Sequence, residues 1–155
     1  MEKLTVTCPS FADNGQIPKK HTGFGEDISP AFTFDGISDK AQSLCIIMED
    51  LDIPFVSAYP HWLIWNLPVK DRIEENIPYG AECSNGAIQG VAYGRNRYRG
   101  PKQPPFVKAS HCYRFTFYSL DCLLNLPSTA GKGKLTKAMQ GHILQSAVLT
   151  GNYKP

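Results

Sequence analysis

In Ser43-Leu44-Cys45-Ile46-Ile47-Met48-Glu49, the residues from Leu44 to Met48 are apolar on both parities. Successive side chains of a strand point to opposite faces, so a run without a polar face fits the centre of a sheet covered on both sides. This predicts two layers of sheet. Further strands are expected at Leu4–Cys8, Pro30–Asp35, His61–Leu67, Ala87–Tyr93 and His111–Leu120, with the central run extended to Gln42–Glu49. These segments are short, rich in β-branched and aromatic residues, and set off by 12 prolines and 13 glycines. In the last of them the period of two places His111, Tyr113, Phe115 and Phe117 on one core-like face and Cys112, Arg114, Thr116 and Tyr118 on the other. One helix is expected near the C-terminus. Its signal is Leu135, Ala138, Met139, Ile143 and Ala147 at three- and four-residue spacing, widened by Leu144 and Val148 and ended at Gly151. The Gly-, Pro- and Arg-rich stretch Tyr93–Ser110 reads as a long loop.

Composition bounds the function. A chain of 155 residues with 42% apolar content suits one domain, residues 1–155, with a real core. Charged residues at 19% and a net charge of +2 exclude an acidic disordered tail and a basic nucleic-acid coat. Met1-Glu2-Lys3-Leu4-Thr5-Val6-Thr7-Cys8-Pro9 lacks the apolar run of a secretory leader, and no window approaches a membrane span, so a soluble, cytoplasmic protein is expected. The five cysteines are scattered without a Cys-x-x-Cys pair, which predicts reduced structural thiols rather than a disulfide or zinc framework.

Three segments carry polar groups suited to a ligand. Asp50-Leu51-Asp52-Ile53-Pro54 puts two carboxylates at the end of the apolar strand, where Pro54 stiffens the turn. His61-Trp62 follows Tyr59-Pro60 and opens a strand on which His61, Leu63 and Trp65 share one face. The third is Gly94-Arg95-Asn96-Arg97-Tyr98-Arg99-Gly100-Pro101-Lys102-Gln103-Pro104-Pro105, ahead of His111-Cys112-Tyr113. Glycines let the backbone approach a ligand and prolines fix the loop, so free amides, imidazoles and a phenol there suit phosphate or carboxylate.

In their order these motifs resemble the phosphatidylethanolamine-binding protein family, also called Raf-kinase-inhibitor-like, in its bacterial and archaeal branch. The match runs through Asp50-Leu51-Asp52-Ile53-Pro54, His61-Trp62, Tyr98-Arg99-Gly100-Pro101-Lys102-Gln103-Pro104-Pro105, His111–Phe115 and Leu120-Asp121. Ile17-Pro18-Lys19-Lys20, Ile28-Ser29-Pro30, Gly141-His142-Ile143-Leu144 and Gly151-Asn152-Tyr153 echo it. The resemblance implies two antiparallel sheets in Greek-key connection, with an anion pocket at one end. Its site residues fall on Asp50, His61, Gly100, Pro101, Pro104, Pro105, His111 and Tyr113, with Asp52 in support and Tyr59 at the rim. Leu51 stands where the family usually has proline, and the Gly100–Pro105 loop is one residue longer than usual.

The expected function is binding of a phosphate- or carboxylate-bearing small molecule or a phospholipid head group, without catalysis or cofactor. A regulated kinase or protease is a further expected kind of partner, and a homodimer is compatible. In this reading Asp50 charges and orients one imidazole, of His61 or His111, because a carboxylate favours imidazolium, while His111, Tyr113 and loop amides donate to the anion. The alternative is a metal-assisted hydrolase built on Asp50, His61 and His111. A Cys112–His111 nucleophile fails on strand parity, and no Gly-x-Ser-x-Gly elbow is present. Nucleic-acid binding would rest on Arg95, Arg97, Tyr98, Arg99 and Lys102 alone, without a stacking platform.

Overall fold

In the computed structural model the described residues, 3–155, form nine strands and one α-helix. In chain order these are β1 (Thr5–Thr7), β2 (Gly15–Gln16), β3 (Phe32–Asp35), β4 (Ser43–Asp50), β5 (Tyr59–Leu67), β6 (Arg72–Ile73), β7 (Ile88–Gln89), β8 (His111–Leu120), α1 (Lys132–Met139) and β9 (Ile143–Tyr153). Met1 and Glu2, read above for a leader, lie outside the described residues. The strands make a three-stranded sheet, β1-β3-β6, and a six-stranded sheet, β2-β9-β8-β4-β5-β7. Strands β4, β5 and β7 lie side by side and β8 returns to the free flank of β4, which is the Greek-key order. The fold is mainly β, as expected, and its pairs are antiparallel except β2–β9.

Strand β4 is buried at every position, and the reason is its two unlike neighbours. On one face Leu44, Ile46 and Met48 join Phe115 and Phe117 of β8 and Phe32 and Phe34 of the small sheet. There the Phe32 and Phe117 rings meet edge to face at 4.9 Å between centroids. On the other face Cys45 and Ile47 meet Leu63 and Trp65 of β5 and Leu135 and Met139 of α1. Each large side chain buried this way contributes roughly 1.5–3 kcal/mol. The second sheet covers one face and the helix with its flanking loops covers the other.

Two expectations need correction. The helix spans only Lys132–Met139, and residues from Ile143 onward form β9 instead. Gly141 takes φ 81, a left-handed conformation that ends the helical run, and β9 then pairs with β8 from Leu120↔Ile143 to His111↔Tyr153. Ile143, from the apparent helical stripe, and Val148, which widened it, are exposed, whereas Gln145, Leu149, Gly151 and Tyr153 are buried. Gln145 earns its place by hydrogen bonding: its Oε1 accepts from Ser38 N and Ser119 Oγ, and its Nε2 donates to Gly36 O. Gly151 is a packing glycine in mid-strand, since a Cβ there would sit 2.6 Å from Ile17 Cγ1. The expected strand Ala87–Tyr93 shrinks to Ile88–Gln89, because Gly90 N and Val91 N turn to Leu63 O and Ala130 O.

Candidate functional site

Asp50 ends β4 and His111 begins β8, and the antiparallel register places Asp50 opposite Tyr113 on one side and Tyr59 on the other. Alternation along β8 puts His111 and Tyr113 on the face of Phe115 and Phe117, as the period of two predicts. His61 arrives by a different route. Simple alternation groups it with Leu63 and Trp65, on the helix-covered face. The β4–β5 ladder, however, shifts register between Met48↔Trp62 and Glu49↔Pro60, so His61 is the extra residue of a β-bulge. The bulge turns its imidazole back to the Tyr113 side, with ring centroids 5.4 Å apart.

Asp50, His61, His111, Tyr113 and Pro104 thereby line one pocket of about 60 Å³, joined by Ile53, Tyr93, Lys102 and Gln103. Since roughly 10–15 Å³ of such space admits a water, the pocket has room for a few waters or a group of similar size. His111 Nδ1 lies 2.9 Å from Asp50 Oδ2 and 3.2 Å from Oδ1. His61 Nδ1–H donates to Arg99 O at 2.7 Å. Each ring therefore has Nδ1 engaged by a protein acceptor. Burial holds His61 below the ordinary imidazole range, against the opposing pull of the Arg99 carbonyl and the Asp50 charge. For His61, desolvation thus outweighs the charging effect expected of Asp50. Tyr113 lines the same pocket. Burial, then the charge of Asp50 and a hydrogen bond to that carboxylate, push its phenol well above the usual range, so it stays protonated.

The remaining expected residues support the pocket from behind. Asp52 Oδ2 accepts from Cys112 N at 2.6 Å, and Asp50 Oδ1 accepts from Asp52 N at 2.9 Å, which locks the acidic turn to β8. Tyr59 stands edge-on to His61 and Tyr93. Gly100 approaches protein rather than ligand: its N–H donates to Asp27 Oδ1, and a Cβ would lie 2.0 Å from His21 O. Pro101 O accepts from Gly23 N, and Pro105 is exposed beside wall residue Pro104. In the lengthened part of the loop, Lys102 Nζ rests 4.2 Å from the centroid of Phe24, and Gln103 Nε2 donates to Tyr153 O. Gln103 Oε1 is buried without a partner among the described residues. The basic cluster Arg95–Lys102 is largely spent inside the protein. Arg97 binds Asp27 and covers Tyr79, Arg99 lies over Tyr93, and the Tyr98 hydroxyl donates to His21 O. Sequence reasoning missed Asp27, Tyr93 and Ile53; Asp27 acts through a contact 73 positions away in the chain, which no local motif announces.

A family model described as phosphatidylethanolamine-binding protein matches residues 7–154. The chain belongs to the phosphatidylethanolamine-binding protein family. Among relatives, a UPF0098 protein of Methanothermobacter thermautotrophicus is 40% identical over 97% of this chain and 99% of its own length. Another, from Pyrococcus horikoshii, is 40% identical over 99% of this chain and 78% of its own length. A crystal structure of a phosphatidylethanolamine-binding protein homologue from Chlamydia trachomatis superposes with TM-score 0.86 at 33% identity, covering 100% of this chain and 99% of that one. Escherichia coli YbcL, at 21% identity and TM-score 0.85 over 99% of both chains, shares the fold. Members of the phosphatidylethanolamine-binding protein family are typically non-catalytic ligand-binding or regulatory proteins. The metal-hydrolase alternative gains no support: among the described residues, Asp50, His61 and His111 do not form a group whose ligand atoms converge on one ion. All five cysteines are free thiols, of which Cys45 alone is fully buried.

Proposed function

We propose that the protein binds the phosphate or carboxylate group of a small molecule or phospholipid head group between His61 and His111. The observation that carries this reading is the shared commitment of the two rings. Both spend Nδ1 on protein acceptors and line the same small pocket, which reserves their Nε2 atoms for a ligand. Asp50 serves this arrangement as the orienting group of His111, and Asp52 keeps Asp50 in place. The orphaned Gln103 Oε1 on the same wall favours a ligand that also brings a hydrogen donor, such as an ammonium or a protonated phosphate oxygen.

The pH dependence follows from the tautomers. With Nδ1–H already committed, Nε2 donates to an anion only in the imidazolium form, and burial makes His61 reluctant to take that proton. Anion binding must then draw a proton in, so affinity falls as pH rises, by up to about tenfold per pH unit for each proton taken up. Titration with inorganic phosphate from pH 5 to 8, followed by calorimetry or amide NMR shifts, tests this. His61→Ala and His111→Ala should each weaken binding, and Cys112→Ala, on the outer face of β8, should leave it unchanged. Affinity that stays flat across that range overturns the proton-coupled reading.

The same pocket would accept a phosphorylated or carboxylate side chain of a kinase or protease partner. Capture of such a partner that free phosphate abolishes would support regulation through the pocket, and capture indifferent to phosphate would place the contact elsewhere. Sedimentation of vesicles carrying phospholipid head groups separates a lipid ligand from a soluble one.

A further inference from the structure

At the opposite end of β8 from the pocket, about 30 Å away for a strand of ten residues at ~3.3 Å each, three side chains with metal-binding atoms come together. Asp121 and Cys122 directly follow β8, and His142 directly precedes β9. The Leu120↔Ile143 pairing and the Asp121 N–H bond to His142 O at 2.9 Å hold the two segments in register. Carboxylate oxygen, thiol sulfur and imidazole nitrogen lie within 4.8 Å of one another. We propose that Asp121, Cys122 and His142 bind a divalent transition-metal ion of the zinc type, with the fourth position open to solvent.

The donor set and the geometry both point this way. One thiolate, one imidazole and one carboxylate form a mixed S, N, O set that suits Zn²⁺ and Co²⁺ and suits Mg²⁺ or Ca²⁺ poorly. A tetrahedral centre with bonds of ~2.0–2.3 Å separates its ligand atoms by ~3.3–3.8 Å, so the longest edge of the triangle needs to close by up to ~1.5 Å. Side-chain freedom supplies that movement, because His142 and Asp121 are 46% and 43% exposed while their backbones are tied. His142 Nδ1 is 2.8 Å from Asp121 Oδ1, a hydrogen bond that holds the two side chains together and that an ion bound through these atoms would replace, parting them by ~0.5 Å. Binding replaces the thiol proton: Cys–SH and M²⁺ give Cys–S–M⁺ and a released proton, with no change of oxidation state. The Cys122 backbone is held separately, by Ser43 Oγ–H donating to its carbonyl, so side-chain variants keep the local fold.

Titration of the full chain with Co²⁺, under reducing conditions, gives a direct readout. The expected result is one ion per chain, a thiolate-to-cobalt charge-transfer band in the near ultraviolet, and visible bands of tetrahedral intensity; Zn²⁺ should displace the cobalt and raise the thermal midpoint. Cys122→Ser should abolish the charge-transfer band. His142→Ala and Asp121→Asn should each weaken binding by at least about tenfold, since even outer partners of metal ligands contribute that much. Cys112→Ser, at the other end of β8, should change nothing. Absence of stoichiometric binding, or binding that survives Cys122→Ser and His142→Ala in variants with unchanged metal-free thermal midpoints, overturns the site and leaves Asp121–His142 as a strap between β8 and β9.

Discussion

His61 enters the pocket because β5 holds one residue more than β4 offers partners for, and its imidazole is then fixed by the Arg99 carbonyl. The carbonyl depends in turn on Gly100. With Asp27 Oδ1 and His21 O pressed against it, Gly100 has no room for a methyl group, whose carbon would lie 2.8 Å and 2.0 Å from those atoms. Gly100→Ala should therefore push the loop outward, destabilise the protein by ~1–3 kcal/mol in urea denaturation, and weaken phosphate binding by freeing His61 Nδ1. Unchanged phosphate affinity in a destabilised Gly100→Ala protein would show that the Arg99 contact does not set the imidazole. Asp27 concentrates three of these ties, accepting from Gly100 N and twice from Arg97 Nη2. It shapes the site without facing it.

Among the elements, β9 shows most clearly what packing requires. Gly151 lies in register with Tyr113 and with Gly15, and a Cβ there would meet Ile17 Cγ1 at 2.6 Å and Phe11 Cε2 at 2.9 Å. Gly151→Ala should cost ~1–3 kcal/mol by overpacking, read from chemical denaturation, and a smaller partner, Ile17→Val, should recover part of it. The same strand marks the limit of what the sequence disclosed. β4 and β8 were legible because their burial follows side-chain chemistry: apolar on both parities in one, alternating in the other. β9 was not, because its inward positions include a glutamine and a glycine while Ile143 and Val148 face outward. At the site, Asp50, His111 and Tyr113 could be placed from alternation, and the family motif order named His61. The bulge that re-aims His61, and the burial that raises the Tyr113 phenol, arise from tertiary pairing and desolvation, which leave no local mark.

For the molecule as a whole, His21 and His61 make stability depend on pH. Burial holds both below the ordinary imidazole value, with His21 bonded to Ile28 O and Ser10 Oγ. Between the folded value and the unfolded one near 6.5, the unfolded chain carries more protons than the native state. Stability is therefore fully present above about pH 6.5 and is lost as pH falls below it. Thermal midpoints measured from pH 7.5 to 5 should decline, the decline should shrink in His61→Gln, and added phosphate should lessen it in the native sequence. A constant midpoint over that range would contradict the assignment of neutral buried rings. Completion of the fold has its own order. Residues 15–16 gain a parallel neighbour only from residues 151–152, and the pocket wall at Gln103 is anchored on the Tyr153 carbonyl. During synthesis, a nascent chain that has emerged through β8 already holds every imidazole and carboxylate of the pocket, yet its wall stays unlatched until the last strand clears the ribosome.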